Sequence, residues 1–232
     1  MVDRKNKKHT RGKTWLWRTL LVLGLVVGLA LVFNEQIKLF VVNWMGQSTM
    51  KTISKETVKK NEKKEGNFDF KSVKALDVAT VGKATTSKVN GIGKIAIPSV
   101  KMRLPILLGL ANENLSQGAG TMNAGQKMGE GNYALAGHYM TASGVLFSPL
   151  KGVEKGDNMY ITDMSKVYTY RVTTKTVVYE TQVQWIEDVP GKKLLTLITC
   201  ASPTEGETHR IVVQGELTKT TKATSSTLRV FD

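Results

Sequence analysis

Fourteen consecutive residues, Leu20 to Phe33, carry no polar side chain, and the apolar stretch reaches nineteen when it is counted from Trp15. A helix of that length barely spans a hydrocarbon core, provided Arg18 snorkels toward the headgroups. Trp15, Trp17 and, further along, Trp44 are the aromatic side chains placed to sit at an interface. Residues 1–18 carry seven Lys/Arg and one acid, a net +6 of the formal +14 of the chain. A basic charge concentrated ahead of an apolar run points to a membrane, not to nucleic acid, and fixes the N-terminus in the cytoplasm. A cleaved signal peptide shares the basic start and apolar middle, but Asn34-Glu35-Gln36-Ile37-Lys38 follows directly without a small-x-small cleavage pattern. The expectation is therefore an uncleaved, single-pass anchor with everything after Phe33 outside. Gly24 and Gly28 form a GxxxG pair, the kind of surface that packs two such anchors into a weak homodimer.

The remaining chain divides by texture. Gln47 to Phe70 is polar and rich in Lys and Glu, and reads as a spacer or solvated helix, not as part of a core. Past Ala75, short β-type runs alternate with Gly, Pro and Asn, the pattern of a sandwich or barrel. Strands are expected at Gly91–Pro98, Met102–Leu108, Tyr133–Ala136, Asn158–Thr162, Lys166–Tyr179, Lys193–Thr199 and Arg210–Leu217. Brief helices fit around Asp69–Thr80, Glu113–Gly118 and Val145–Leu150. The expected organisation is a cytoplasmic basic tail (1–14), a transmembrane anchor (15–33), an extracellular spacer (34–70), an all-β, mainly antiparallel barrel (71–220) and a polar C-terminal tail (221–232). On that division a soluble fragment beginning near Phe68 folds and keeps its chemistry.

Cys200 is the only cysteine, which excludes an intrachain disulfide and a cysteine-based metal cluster. It is either an inert core thiol or a reactive group. The strand Leu194–Cys200 ends at it, and period-2 alternation puts it on the face of Ile198 and Thr196 beside the polar loop Ala201–His209. A thiol needs a neighbouring base or cation to become a useful thiolate. Of the three histidines, His9 is in the basic tail, which leaves His138 and His209. His138 ends the apolar run Ala134-Leu135-Ala136-Gly137 and is the expected imidazole, because a strand end holds a proton-transfer group more firmly than a loop does. Arg210 opens the strand Arg210-Ile211-Val212-Val213, where its fork of donors suits a developing oxyanion.

Leu135-Ala136-Gly137-His138, Thr196-Leu197-Ile198-Thr199-Cys200 and Arg210 ten residues after the cysteine, together with an N-terminal anchor, resemble a class A sortase over residues 68–218. The resemblance implies an eight-stranded β-barrel on the outer face of a Gram-positive membrane. It implies a transpeptidase that takes a surface-protein sorting signal, Leu-Pro-x-Thr-Gly, and a peptidoglycan-precursor amine as partners. Carried over, Cys200 is the nucleophile, His138 the general acid/base and Arg210 the group that holds the substrate and its oxyanion. The floor of the substrate groove is expected from Ala136, Thr196, Ile198 and Thr199, and the pocket for Leu-Pro from Val183, Trp185 and Ile186. No cofactor enters that cycle. Some class A members use calcium held by acids in the loop after the third strand. The stretch matched to that loop, Leu110–Thr121, has Glu113 as its only acid, so no calcium dependence is expected, although Glu187 and Asp188 are available as partners. Two other readings of the same residues are a membrane-tethered cysteine hydrolase with water as acceptor and a non-catalytic module that binds the wall.

Overall fold

The computed structural model describes residues 9–232, with side chains from residue 14; the first eight residues of the basic tail lie outside the described residues. The chain divides into two units, residues 1–38 and 39–232. In the first, α1 (His9–Val32) leaves every large apolar side chain from Trp15 to Phe33 exposed. Its segment Thr14–Val32 is long and apolar enough to cross a bilayer, and none of it is buried. The Thr19 hydroxyl is satisfied within the helix, Thr19 Oγ1 donating to the Trp15 carbonyl at 2.9 Å.

The second unit is a closed barrel of eight strands: β1 (Gly91–Ile97), β2 (Met102–Leu107), β3 (Ala119–Thr121), β4 (Asn132–Ala136), β5 (Asn158–Thr162), β6 (Lys166–Tyr179), β7 (Leu194–Cys200) and β8 (His209–Lys222). Around the barrel they run β1-β2-β3-β4-β7-β8-β6-β5, antiparallel except for the pairs β2/β3 and β4/β7. Alternation sends Ile95, Ile97, Ile106, Leu135, Ile161, Tyr170, Leu195, Leu197 and Val213 into one core. β3 is the strand the sequence conceals: three residues, two of them Ala and Gly, have no period to read. The helix expected over Asp69–Thr80 is instead two short pieces, a 3-10 turn at Phe70–Ser72 and α4 (Val78–Ala84). Each has its own N-cap, Asp69 accepting from the Lys71 N–H at 2.9 Å and Asp77 from the Thr80 N–H at 2.7 Å, and two N-caps in one segment start two separate helices.

Two of the expected boundaries need correction. The spacer reading of 34–70 fails from Leu39 onward, because α2 (Asn34–Thr52) buries Val42, Met45, Gly46, Thr49 and Met50, and Val42 and Met45 belong to the main core. Those residues, with Ile53, follow the i, i+3, i+4 spacing of one helical face; the stripe is built from Met, Gly and Thr, so it does not stand out as apolar. α3 (Lys55–Asn61) continues the packing through Val58, its start fixed by a reciprocal box between Ser54 and Thr57. The tail reading of 221–232 fails as well. After α5 (Asn112–Leu115) and the eight strands, α6 (Ser225–Leu228) turns the chain back, Phe231 is buried beside Met50, Ala96 and Val167, and Arg103 Nε donates to the Val230 carbonyl at 3.1 Å.

Candidate active site

Cys200 and Arg210 are cross-strand partners at the ends of β7 and β8, directly opposite in the antiparallel register. The pair is closed by the Ala201 N–H donating to the His209 carbonyl at 2.9 Å. His138 lies two residues past the end of β4, yet it does not hang from a free loop. The Gly137 N–H extends the parallel β4/β7 ladder to the Ile198 carbonyl at 3.2 Å, and the Phe147 N–H donates to the His138 carbonyl at 3.0 Å. Thr199 Oγ1 donates to the Gly137 carbonyl at 2.8 Å, so the residue before the cysteine grips the residue before the histidine. Gly137 has no substitute here: a Cβ would stand 2.5 Å from the ring of Phe147, which is fully buried.

All three side chains line one cleft of about 560 Å³ with largely apolar walls. Of the residues expected to receive substrate, Ala136, Ile198, Thr199, Val183 and Ile186 line it, and Thr196 and Trp185 do not. Thr196 shares the Cys200 face of β7 but is fully buried. Its hydroxyl donates to Asn132 Oδ1 at 2.7 Å and accepts from Gln214 Nε2 at 2.8 Å. Phe70, Val73, Leu110, Leu115, Met122 and Glu180 are among the further lining residues that the sequence reading did not single out. Glu180 becomes visible only through the β6/β8 register, which pairs Val178 with Arg210 and brings an acid two residues on toward the guanidinium.

The polar partners set the electrostatics. Arg210 Nη2 donates to the Glu180 carboxylate, and Nη1 to the carbonyls of Glu207 and, at 3.1 Å, His209. Glu207 accepts the His209 N–H at 2.8 Å and the Ser202 hydroxyl at 2.7 Å, bonds that hold its carboxyl down at about 2. His209 opens β8, faces Glu207 through Nδ1 at 3.2 Å and stacks tilted on Tyr179 at 4.5 Å; it does not line the cleft. His138 is different. Its Nε2 is buried with no hydrogen-bond partner, and burial lowers its pKa to about 4. Burial pushes the Cys200 thiol up; Arg210 pulls it down, and Glu207 and Glu180 push it up again. At neutral pH the resting pair is thus imidazole and thiol, both uncharged, beside a guanidinium.

The loop after the third strand is Met122–Gly131, since β3 begins at Ala119; the stretch 110–121 matched to it above precedes and includes that strand. Glu130 is the acid of the true loop, and it borders a second cavity of about 550 Å³ together with Lys127, Glu187 and Asp188. Among the described residues no group of three or more His, Cys, Asp or Glu is placed to hold a metal.

The sortase domain family matches residues 95–218, the stretch that contains all three cleft side chains, and the chain belongs to that family of cysteine transpeptidases. Its relatives narrow the class. It is 43% identical to sortase A of Streptococcus agalactiae, over 98% of this chain and 96% of that protein, and 41% identical to sortase A of Listeria monocytogenes, over 90% and 95%. The crystal structure of the Listeria monocytogenes sortase A superposes with a TM-score of 0.59 at 44% identity, covering 61% of this chain and 97% of that one. These likenesses make the protein a sortase of class A.

Proposed function

We propose that this enzyme cleaves Leu-Pro-x-Thr-Gly sorting signals between Thr and Gly and joins the Thr to a peptidoglycan-precursor amine. Cys200 is the nucleophile, His138 the general acid/base and Arg210 the oxyanion partner. One observation supports this reading above the others: the lone cysteine, a histidine with an unpartnered buried nitrogen and an arginine held at a strand end line a single apolar cleft. The thiol proton passes to the neutral imidazole as the sulfur attacks the Thr carbonyl, and the resulting imidazolium gives that proton to the departing Gly amine. The thioester that remains is attacked by the incoming amine, whose proton His138 now accepts before returning it to the Cys200 sulfur as the new amide forms. Arg210 is the cation placed to offset charge on the carbonyl oxygen in both steps. Val183, Ile186, Ala136 and Ile198 supply the apolar surface for the Leu-Pro end.

The proposal extends to place. Residues 15–33 anchor the chain in the cell membrane as a single span, with the basic tail in the cytoplasm and the barrel outside, where signal and wall precursor meet. The test is mass spectrometry of the products from a model signal peptide with and without an oligoglycine. Ligated peptide with added amine supports transpeptidation. Hydrolysed product alone, unaffected by amine, would make the enzyme a hydrolase.

A further inference from the structure

The wall that carries Val183 and Ile186 is a short 3-10 turn, Val183–Ile186, which joins no strand ladder. Side chains hold it: Asn123 Nδ2 donates to the Ile186 carbonyl at 2.7 Å, and buried Asn132 stands at the start of β4. Its Nδ2 donates to the carbonyls of Trp185 and Glu187, both at 2.9 Å, while its Oδ1 accepts from Thr196. Its own N–H donates to Asp188 Oδ1 at 2.6 Å. Gly131 makes room for that carboxylate: φ is +47°, and a Cβ would stand 2.3 Å from Asp188 Oδ1. A side-chain amide that is 2% exposed and engages both of its donors and its oxygen has no freedom left.

From this we infer that Asn132, with Asp188, is a positioning residue for substrate: a polar clamp that presets the cleft wall, and so sets affinity for the apolar end of the signal without touching the reacting atoms. The inference rests on the substrate reading above for what the wall receives, but not for the clamp itself. A wall hung from strand β4 is in place before substrate arrives, so ordering it takes nothing from the binding energy. Asp188 is exposed on the surface, so changing it spares the core.

The experiment compares wild type with Asp188→Ala, Asp188→Asn and Asn132→Ala in the full-length protein. It measures KM and kcat with a model signal peptide and oligoglycine, the rate of Cys200 alkylation by iodoacetamide, and hydrogen exchange of the 183–187 amides. For Asp188→Ala the expectation is a KM raised about fivefold, the loss of one hydrogen bond, with kcat and alkylation unchanged and faster exchange in 183–187. Asp188→Asn keeps an oxygen acceptor and should return all four to wild-type values; Asn132→Ala, if folded, should exceed Asp188→Ala in KM and exchange. An unchanged KM in Asp188→Ala, or a raised KM with kcat and alkylation falling alongside it, would overturn the inference. Should wild type turn over no signal peptide, the substrate reading fails, and unchanged exchange in Asp188→Ala would then overturn the clamp by itself.

Discussion

Cys200, His138 and Arg210 leave from the ends of three adjacent strands, β7, β4 and β8, whereas the wall opposite them is a turn suspended on side-chain hydrogen bonds. The first group is carried by main-chain ladders, which any sequence of suitable period can form. The second depends on particular atoms: Asn123 Nδ2 on the Ile186 carbonyl at 2.7 Å, Asn132 on Trp185 and Glu187. The difference suggests a division of labour, with chemistry on the rigid part of the barrel and recognition on the part whose shape a few residues can change. Changes at the strand ends should therefore cost rate, and changes at the wall should cost affinity.

The largest break in that comparison comes from the strand ends. Cys200→Ala should abolish turnover, and His138→Ala should lower it by about 10²–10⁴, the range of a lost general acid/base. His209→Ala is the informative control, because His209 neighbours Arg210 in sequence but sits on Tyr179 and outside the cleft. It should retain most activity in the same peptide assay; the reverse pattern would move the proton-transfer role to His209.

Arg210→Lys comes next. The guanidinium reaches the Glu180 carboxylate through one nitrogen and two carbonyls through another, a span that a single ammonium does not reproduce. A loss of about 10²–10³ in kcat is expected, as for an oxyanion donor, while alkylation of Cys200 remains possible. Activity within about threefold of wild type, where a donor is worth that much, would remove the oxyanion role.

At the wall, Val183→Ser and Ile186→Ser should raise KM several-fold and leave kcat nearly alone, since each removes apolar contact surface and no proton-transfer group. A fall in kcat of the same size as the rise in KM would mean that the wall also sets the geometry of attack, and the division would fail.

How much of this was legible depends on whether a backbone period or a side-chain contact carries it. The strand ending at Cys200, the one running up to His138 and the one beginning near Arg210 are readable because each is an apolar run bounded by a chemistry-bearing residue. β3 was not, and its absence from the strand list shifted the loop after the third strand by a whole segment, from Met122–Gly131 to 110–121. Thr196 fell on the correct face by alternation, but only the neighbouring strands β4 and β8 show that its hydroxyl serves Asn132 and Gln214. Glu180 needs the β6/β8 register to be seen at all. The helical face of α2 was hidden for a compositional reason: Met45, Gly46, Thr49 and Met50 pack as well as aliphatics but do not look like a stripe. That has a consequence for the fragment expected to start near Phe68. It lacks Val42, Met45, Met50, Ile53 and Val58, all buried, and should unfold at a lower temperature than one starting at Leu39, or not fold. Circular dichroism melts of the two would decide, and equal midpoints would restore the spacer.

The smallest effect separates the strand ends from the wall by pH alone. Burial lowers the His138 pKa to about 4, against about 6.5 for a histidine in an unfolded chain. Between those values the unfolded chain takes up a proton that the folded protein refuses. Stability should therefore be fully present above the unfolded value and fall as pH drops through this window. Glu207, held down at about 2, loses its contribution only below the ordinary carboxylate range. Glu62, raised by burial and by Asp163, acts in the opposite sense in the upper part of that range. Both are present in wild type and in His138→Asn, so the comparison of the two cancels them. Unfolding temperatures at pH 7.5, 6 and 5 should fall more steeply for wild type than for the variant, with the curves parallel above pH 7. Parallel curves throughout would mean that His138 is open to solvent and protonates as freely in the fold as outside it, and the uncharged resting pair would have to be replaced by an imidazolium beside Cys200.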